Sequence, residues 1–270
     1  MSELLKRSIT GFSLVAVMVF AILFHPLAAL SLFAVICYFS LYEFYGLMNR
    51  YSVITDRYLH SFSGAYLVII FFIYSMSFFT KWLLLPYFFY LLTLPLTELY
   101  KKENASVLNI GLALLGHLYV AMPFALLGWL GYFQPSTYQP ILILAIFVNI
   151  WANDSGAYIV GSRFGKHRLF ERISPKKSWE GFLGGLFMAI AVSSIFAIYI
   201  HALTPIEWIG FGIVTSISAT YGDLFESFLK RSIGIKDSGN ILPGHGGMLD
   251  RFDAPLFAIP AVMIYLYFFC

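Results

Sequence analysis

The chain has 270 residues, enough for one large domain or two ordinary ones. Hydrophobic residues make up 60%, aromatic residues 19% and charged residues only 11%, against a usual charged share of about 25%. That excludes an ordinary soluble globule, which could not bury so much apolar surface. The net charge of +3 is too small to argue for a nucleic-acid partner. Cys37 and Cys270 both lie in apolar runs, which supports neither a disulfide framework nor a thiolate metal site.

The charged residues are clumped. No Asp, Glu, Lys or Arg lies between Arg7 and Glu43, or between Glu103 and Asp154. One crossing takes about 20 apolar residues, so each of these stretches should cross a membrane twice, turning at His25-Pro26 and at Gln134-Pro135-Ser136. In chain order the expected spans are 8–24, 27–48, 58–79, 82–99, 105–132, 138–160, 181–200, 206–228 and 253–270. Lys6 and Arg7 ahead of the first run imitate a secretory signal, but no small-residue cleavage site follows, so the run reads as a retained helix. Pro86 and Pro95 interrupt the fourth span, which is tolerated where neighbouring groups satisfy the freed carbonyls.

The expected fold is therefore an all-α polytopic integral membrane protein of about nine transmembrane helices. With the N-terminus cytoplasmic and the C-terminus outside, every Lys and Arg except Lys81 falls on the cytoplasmic side, as the positive-inside rule requires. Residues 1–135 hold about five N-terminal helices. Residues 136–270 form a C-terminal region with two polar cytoplasmic loops, 162–180 and 229–252. No inverted repeat of the transporter kind is visible.

Acids within or beside spans are costly and tend to face an interior or a wet cavity. Glu43 and Glu98 read equally well as solvated helix-end acids. Asp154 stands apart, in a polar patch, Trp151-Ala152-Asn153-Asp154-Ser155-Gly156, inside an otherwise apolar helix. Farther on, Asp223, Glu226, Ser227 and Lys230 occupy one helical face. The Glu226–Lys230 spacing alone suggests local charge compensation. Asp223 beside Glu226, however, places two acids together, and a hard cation held by oxygen ligands, Mg2+ rather than Zn2+, relieves their repulsion.

The second loop continues through Lys230-Arg231 and Lys236-Asp237 to Leu242-Pro243-Gly244-His245-Gly246-Gly247, then Asp250-Arg251-Phe252-Asp253 at the start of the last span. Glycines let backbone N–H groups approach a phosphate, although three glycines alone read better as a flexible turn. Asp250 and Asp253 share a face at a helix N-terminus, where acids are favoured. His245 can donate to a phosphate, but a loop histidine is usually just a surface residue. In the first loop, Gly161-Ser162-Arg163-Phe164-Gly165-Lys166 lacks the spacing and the hydroxyl of a P-loop. Ile173-Ser174-Pro175-Lys176-Lys177-Ser178 reads as a helix start, with Ser174 as N-cap and Pro175 in the first turn. Two lysines at such an N-terminus suit an anion, and equally suit anchorage to anionic lipid headgroups.

These motifs resemble a known family. The 27 residues from Ser227 to Asp253, with Lys230, Arg231, Lys236, Asp237, Pro243, His245, Gly246, Gly247, Asp250, Arg251 and Asp253 at its polar and glycine positions, resemble the signature of the phosphatidate cytidylyltransferases, also called CDP-diacylglycerol synthases. Asp154, Tyr158, Gly161, Phe164, Gly165, Lys166, Ser174, Pro175, Lys176, Lys177, Ser178, Glu180 and Gly181 are similar to that family too, with Ser178 where Thr is common. The N-terminal helices match only in being apolar.

The resemblance implies CTP + phosphatidate → CDP-diacylglycerol + pyrophosphate, Mg2+-dependent, at the cytoplasmic face of a bacterial-type inner membrane, in a chain that can form a homodimer. It implies that Asp223, Asp250 and Asp253 hold the cation. Lys230, Arg231, Arg251, Lys176 and Lys177 would neutralise the triphosphate and the leaving group. Ser174, Ser178 and the Gly246-Gly247 backbone would orient phosphate oxygens, with Ser227 and His245 also in the substrate site. Asp154 would order a lysine or complete a second cation site. Two other classes fit less well. A CDP-alcohol phosphotransferase would carry a motif beginning Asp-Gly with further aspartates at four-residue spacing, which is absent, and an ion-coupled transporter would place its acids at the midplane.

Overall fold

Each expected apolar run is a helix. The structure is a computed structural model that describes residues 3–50, 56–78, 80–134, 137–235, 238–239, 241 and 246–270. In chain order the helices are α1 (Glu3–Phe24), α2 (Pro26–Met48), α3 (Arg57–Ser75), α4 (Lys81–Tyr100), α5 (Val107–Gly131), α6 (Pro140–Phe164), α7 (Trp179–Tyr199), α8 (Pro205–Ser232) and α9 (Leu249–Phe269). Seven of them, α2 to α7 and α9, are long and apolar enough to cross a membrane. The apolar part of α1 is the shorter Ile9–Phe24, and α8 carries Glu207, Asp223, Glu226, Lys230 and Arg231 along its length.

Local chemistry explains the boundaries. His25 caps α2 by accepting the Leu27 N–H at 3.2 Å, with Pro26 at the first helical position, so the expected His25-Pro26 turn is a helix start as well as a stop. Pro86 does not break α4, because Lys81–Leu84 form a 3-10 turn and the proline falls in the first α-helical turn, where no N–H is needed. Thr204 and Glu207 cap α8 reciprocally, the Thr204 N–H donating to Glu207 Oε2 at 2.7 Å and the Glu207 N–H to Thr204 Oγ1 at 3.4 Å. Of the second expected turn, Pro135 and Ser136 lie outside the described residues; α5 ends at Gly131 and α6 begins at Pro140.

The chain forms two compact units: residues 1–140 with 237–252, and residues 141–236 with 253–270. In the first unit α2 packs on α3, and α3 on the second half of α5. Phe33, Phe44, Phe72 and Phe124 are fully buried there. The same interior holds a polar cluster. His117 sits in a π-turn of α5, with the Tyr87 hydroxyl 2.8 Å from its Nδ1 and the Tyr90 hydroxyl 3.2 Å from its Nε2. Glu98, one of the acids that could have been simply solvated, accepts from Lys101 Nζ at 2.6 Å, the Ser106 N–H at 3.0 Å and Asn109 Nδ2 at 2.8 Å, so it closes the α4–α5 turn.

In the second unit α7 packs along α8, with Trp208 and Phe211 of α8 fully buried. Two buried asparagines on α6 tie it to both neighbours. Ser193 Oγ of α7 donates to Asn149 Oδ1 at 2.9 Å, and Ser216 Oγ of α8 donates to Asn153 Oδ1 at 2.6 Å. Between helices in lipid, where apolar contact gives no net drive, such bonds contribute about 0.6 kcal/mol each.

One local expectation is overturned. Ser174 is not a helix N-cap: residues Arg168–Phe170 (β1) and Ser174–Ser178 (β2) pair as an antiparallel hairpin, with Arg168 opposite Ser178 and Phe170 opposite Ser174. Pro175 is tolerated because both strands of a two-stranded sheet are edges. The helix starts one turn later. Ser178, in extended backbone, is the N-cap of α7, and its hydroxyl accepts the Gly181 N–H at 3.1 Å.

Candidate active site

The hairpin determines where the loop lysines go. Successive residues of a strand point to opposite sides, so Lys176 and Lys177 diverge: Lys176 is exposed, while Lys177 Nζ reaches Asp223 Oδ2 at 2.6 Å. That ion pair links the first polar loop to the acidic stripe of α8. Its side chains stay partly open, 26% exposed for Lys177 and 41% for Asp223. The base of the loop is held by Glu180, whose carboxylate accepts the Lys166 N–H at 3.1 Å and lies 2.6 Å from His167 Nδ1.

Two further acids join Asp223. A Cβ on Gly222 would fall 2.6 Å from the Asp253 carbonyl oxygen and 3.0 Å from Ala254 Cα, so only glycine lets α8 run backbone-to-backbone against α9 there. The close approach brings Asp223 into electrostatic reach of Asp253, which also feels Lys230 and Lys177. From α6, Asp154 is within reach of the same Asp223 and Lys177. Ser227 Oγ lies 3.4 Å from Asp223 Oδ1, one turn along α8. The second unit thus gathers Asp154, Lys177, Asp223, Ser227 and Asp253, residues far apart in the chain.

The other members of the α8 stripe behave differently. Lys230 is ion-paired with Glu226, whose side chain is only 2% exposed. The four-residue spacing therefore does serve charge compensation, and of a buried acid. Arg231 is exposed, and its Nη1 donates to the Ile235 carbonyl at 3.2 Å, closing the C-terminus of α8.

The first unit contains the other half of the signature. Asp250, on the first turn of α9, accepts the Gly247 N–H at 2.8 Å and the Ser238 N–H at 3.0 Å through Oδ2. Gly246 adopts φ +86°, a left-handed conformation suited to glycine. Gly247 is buried and Arg251 is exposed. His245, Lys236, Asp237, Pro243 and Gly244 lie outside the described residues. Ser174 is half-buried in β2 and Ser178 is buried as the α7 cap.

A divalent cation fits this donor set in part. Among the described residues no three His, Cys, Asp or Glu side chains stand as a ready metal cage. Mg2+ does not demand one, since it is commonly held by one or two carboxylates with substrate phosphates and water completing its shell. Asp223 and Asp253 supply two carboxylates whose mutual repulsion a cation would relieve.

Sequence reasoning had no signal for Asn149, which stands in an apolar run, and it marked Asn153 only as part of the polar patch around Asp154. The structure shows that the two position α7 and α8. Nor did it find a role for Glu43, which accepts hydrogen bonds from the signature segment itself.

The helices define an integral membrane protein, helical among the described residues apart from one hairpin. Within that class, the chain belongs to the cytidylyltransferase family, whose profile matches residues 5–269. It is 38% identical over 167 residues to a phosphatidate cytidylyltransferase of Staphylococcus aureus (strain COL), covering 61% of this chain and 62% of that protein. It is 50% identical over 124 residues to a phosphatidate cytidylyltransferase of Bacillus subtilis (strain 168), covering 45% of this chain and 44% of that protein. The chain thus spans less than two thirds of the length of either curated relative.

Proposed function

We propose that this protein is a phosphatidate cytidylyltransferase, transferring CMP from CTP to phosphatidate to give CDP-diacylglycerol and pyrophosphate. The observation that carries the reading is the Lys177–Asp223 contact beside Asp253 and Asp154: a cation on a hairpin, paired with a half-open acid, in a cluster with spare negative charge. The names of the relatives support the substrate assignment.

The chemistry asks for no protein nucleophile and no strong base. A phosphomonoester has a second pKa of about 6, so the phosphatidate oxygen is already anionic at neutral pH and needs only alignment with the α-phosphate of CTP. Lys177 exchanges its carboxylate partner for phosphate oxygens and neutralises the triphosphate. Lys176, exposed on the same strand, meets the outer phosphates. Lys230, Arg231 and Arg251 add positive charge for the departing pyrophosphate. Asp223 and Asp253 would hold Mg2+, and the resemblance of the motif implies a cation-binding role for Asp250 as well. When bound, the cation supplies charge neutralisation and a template for the phosphates. Asp154 orients Lys177 or completes a second cation site.

The orientation follows from charge. All nine helices among the described residues cross, with α8 taking its polar face inward; the N-terminus and both loops are cytoplasmic and the C-terminus is outside, so that Lys81 alone of the Lys and Arg residues is external. The membrane is a bacterial-type inner membrane, and the chain can pair as a homodimer.

The test is direct. Purified full-length protein in detergent, given CTP, phosphatidate and Mg2+, should release pyrophosphate, and chelation of Mg2+ should bring the rate to background until the ion is restored. A monodisperse sample that releases none overturns the reading. Orientation is checked by labelling Glu171→Cys in a Cys270→Ser background with an impermeant thiol reagent. Labelling from outside intact cells would reverse the topology.

A further inference from the structure

Glu43, near the C-terminal end of α2, does not behave like a solvated helix-end acid. Its residue is 6% exposed. Oε2 accepts the Leu249 N–H at 2.9 Å and the Ser238 hydroxyl at 3.3 Å. Leu249 is the first residue of α9, whose opening N–H groups have no partner within the helix. An acid from α2 therefore caps the helix that carries Asp250 in its first turn. Oε1 has no hydrogen-bond partner among the described residues.

The glycines of the signature are shaped to this carboxylate. A Cβ on Gly239 would lie 2.7 Å from Glu43 Cδ, and one on Gly247 would lie 2.9 Å from it. Both distances are shorter than side chains tolerate. The same backbone is bound by Asp250, which accepts the Ser238 and Gly247 N–H groups. Two carboxylates thus hold Ser238 and the start of α9, Asp250 from within the signature and Glu43 from 206 positions upstream of Leu249.

We infer that Glu43 is a positioning residue for the reaction: it sets the conformation of Ser238-Gly239, of Gly246-Gly247 and of the start of α9, and so the direction of Asp250. For its effect on rate this rests on the functional reading above; for its effect on the backbone it does not.

Two measurements on the full-length protein in detergent separate these. Hydrogen exchange of Glu43→Ala should speed up about tenfold or more over residues 246–252, the loss of a charged acceptor, while Val107–Gly131 keeps its protection. Steady-state assays should show kcat lower by about 10²-fold, the usual cost of a displaced reacting group. Glu43→Gln, which keeps an acceptor at the same reach, should stay within about tenfold of the parental kcat. Parental exchange over 246–252 in Glu43→Ala overturns the assignment, and so does Glu43→Gln falling as far as Glu43→Ala. Should Glu43→Ala lose protection everywhere, Gly239→Ala decides. Its methyl displaces the carboxylate with the acid intact, so unaltered local exchange and kcat there also overturn the proposal. If the parental protein itself releases no pyrophosphate, the functional reading falls, and the exchange measurements still decide for or against Glu43.

Discussion

Two sets of carboxylates in this chain are treated in opposite ways. In the first unit, Glu43 and Asp250 accept N–H and hydroxyl hydrogens of a loop and a helix start, and Glu43 is buried. In the second, Asp223 is 41% exposed and faces a lysine from a hairpin. On α6 of that unit the buried Asn153 is taken up by its bond from Ser216, while its neighbour Asp154 stays exposed. The difference teaches how to tell an acid that only shapes the backbone, as Glu43 does, from one open to a reacting group, as Asp223 is. Asp250 shapes its loop through the N–H groups it accepts and keeps the cation role that the motif's resemblance implies. An acid that accepts hydrogen bonds from a loop and from a helix start is fixed in place. An acid paired with a partly open lysine can trade that partner for a cation or a phosphate.

Three sets of substitutions would break or sharpen this contrast, from the largest effect to the smallest. Asp223→Asn should lower kcat by about 10³-fold, roughly 4 kcal/mol of transition-state stabilisation. Thermal stability should hardly change, because a half-open ion pair is worth at most about 1 kcal/mol. Near-parental pyrophosphate release by Asp223→Asn would remove Asp223 from the cation site and leave the contrast without its reacting member.

The two lysines provide the next comparison. Lys230→Ala takes the ion pair from Glu226, whose side chain is 2% exposed, and stripping one partner from a buried pair typically costs about 3–5 kcal/mol. Lys177→Ala removes a partner from the open Asp223, so it should leave the unfolding midpoint within a few degrees while lowering kcat/KM by about 10- to 100-fold, the loss of one charged contact to phosphate. Thermal unfolding and kinetics on both variants check this. Equal loss of stability in the two would mean that exposure does not separate their roles.

The smallest effect concerns the hairpin. Ser178→Ala should destabilise by about 1 kcal/mol, the ordinary cost of a lost N-cap, whereas Ser174→Ala, in the strand, should not register as a lost cap. Thermal unfolding of the two variants compares them. A larger destabilisation from Ser174→Ala would restore Ser174 as the start of the helix.

Much of the fold is legible in the sequence. The helices lie where long uncharged runs require them, because about 20 apolar residues have no other stable arrangement in lipid. The face shared by Asp223, Glu226, Ser227 and Lys230 follows from helical periodicity alone. The start of α7 is harder to read, because Ser-Pro-Lys-Lys-Ser contains two serines able to cap. Choosing between them depends on pairing with Arg168–Phe170, a contact that no local pattern encodes. Glu43 is ambiguous for a similar reason. Its partners lie about two hundred positions away in sequence, and spacing within one helix says nothing of them.

The sequence by itself determined the membrane class, the order of the helices and the inventory of charged groups, since these depend on hydropathy, period and composition. Only the tertiary structure decided which acid meets which partner. Lys177 rather than Lys176 reaches Asp223 because strand alternation separates the two lysines, and Asp223 lies near Asp253 because Gly222 has no side chain to hold the helices apart. Glu43 meets the signature segment because the folded first unit brings the end of α2 to the start of α9. Periodicity is a property of a segment, whereas pairing is a property of the fold.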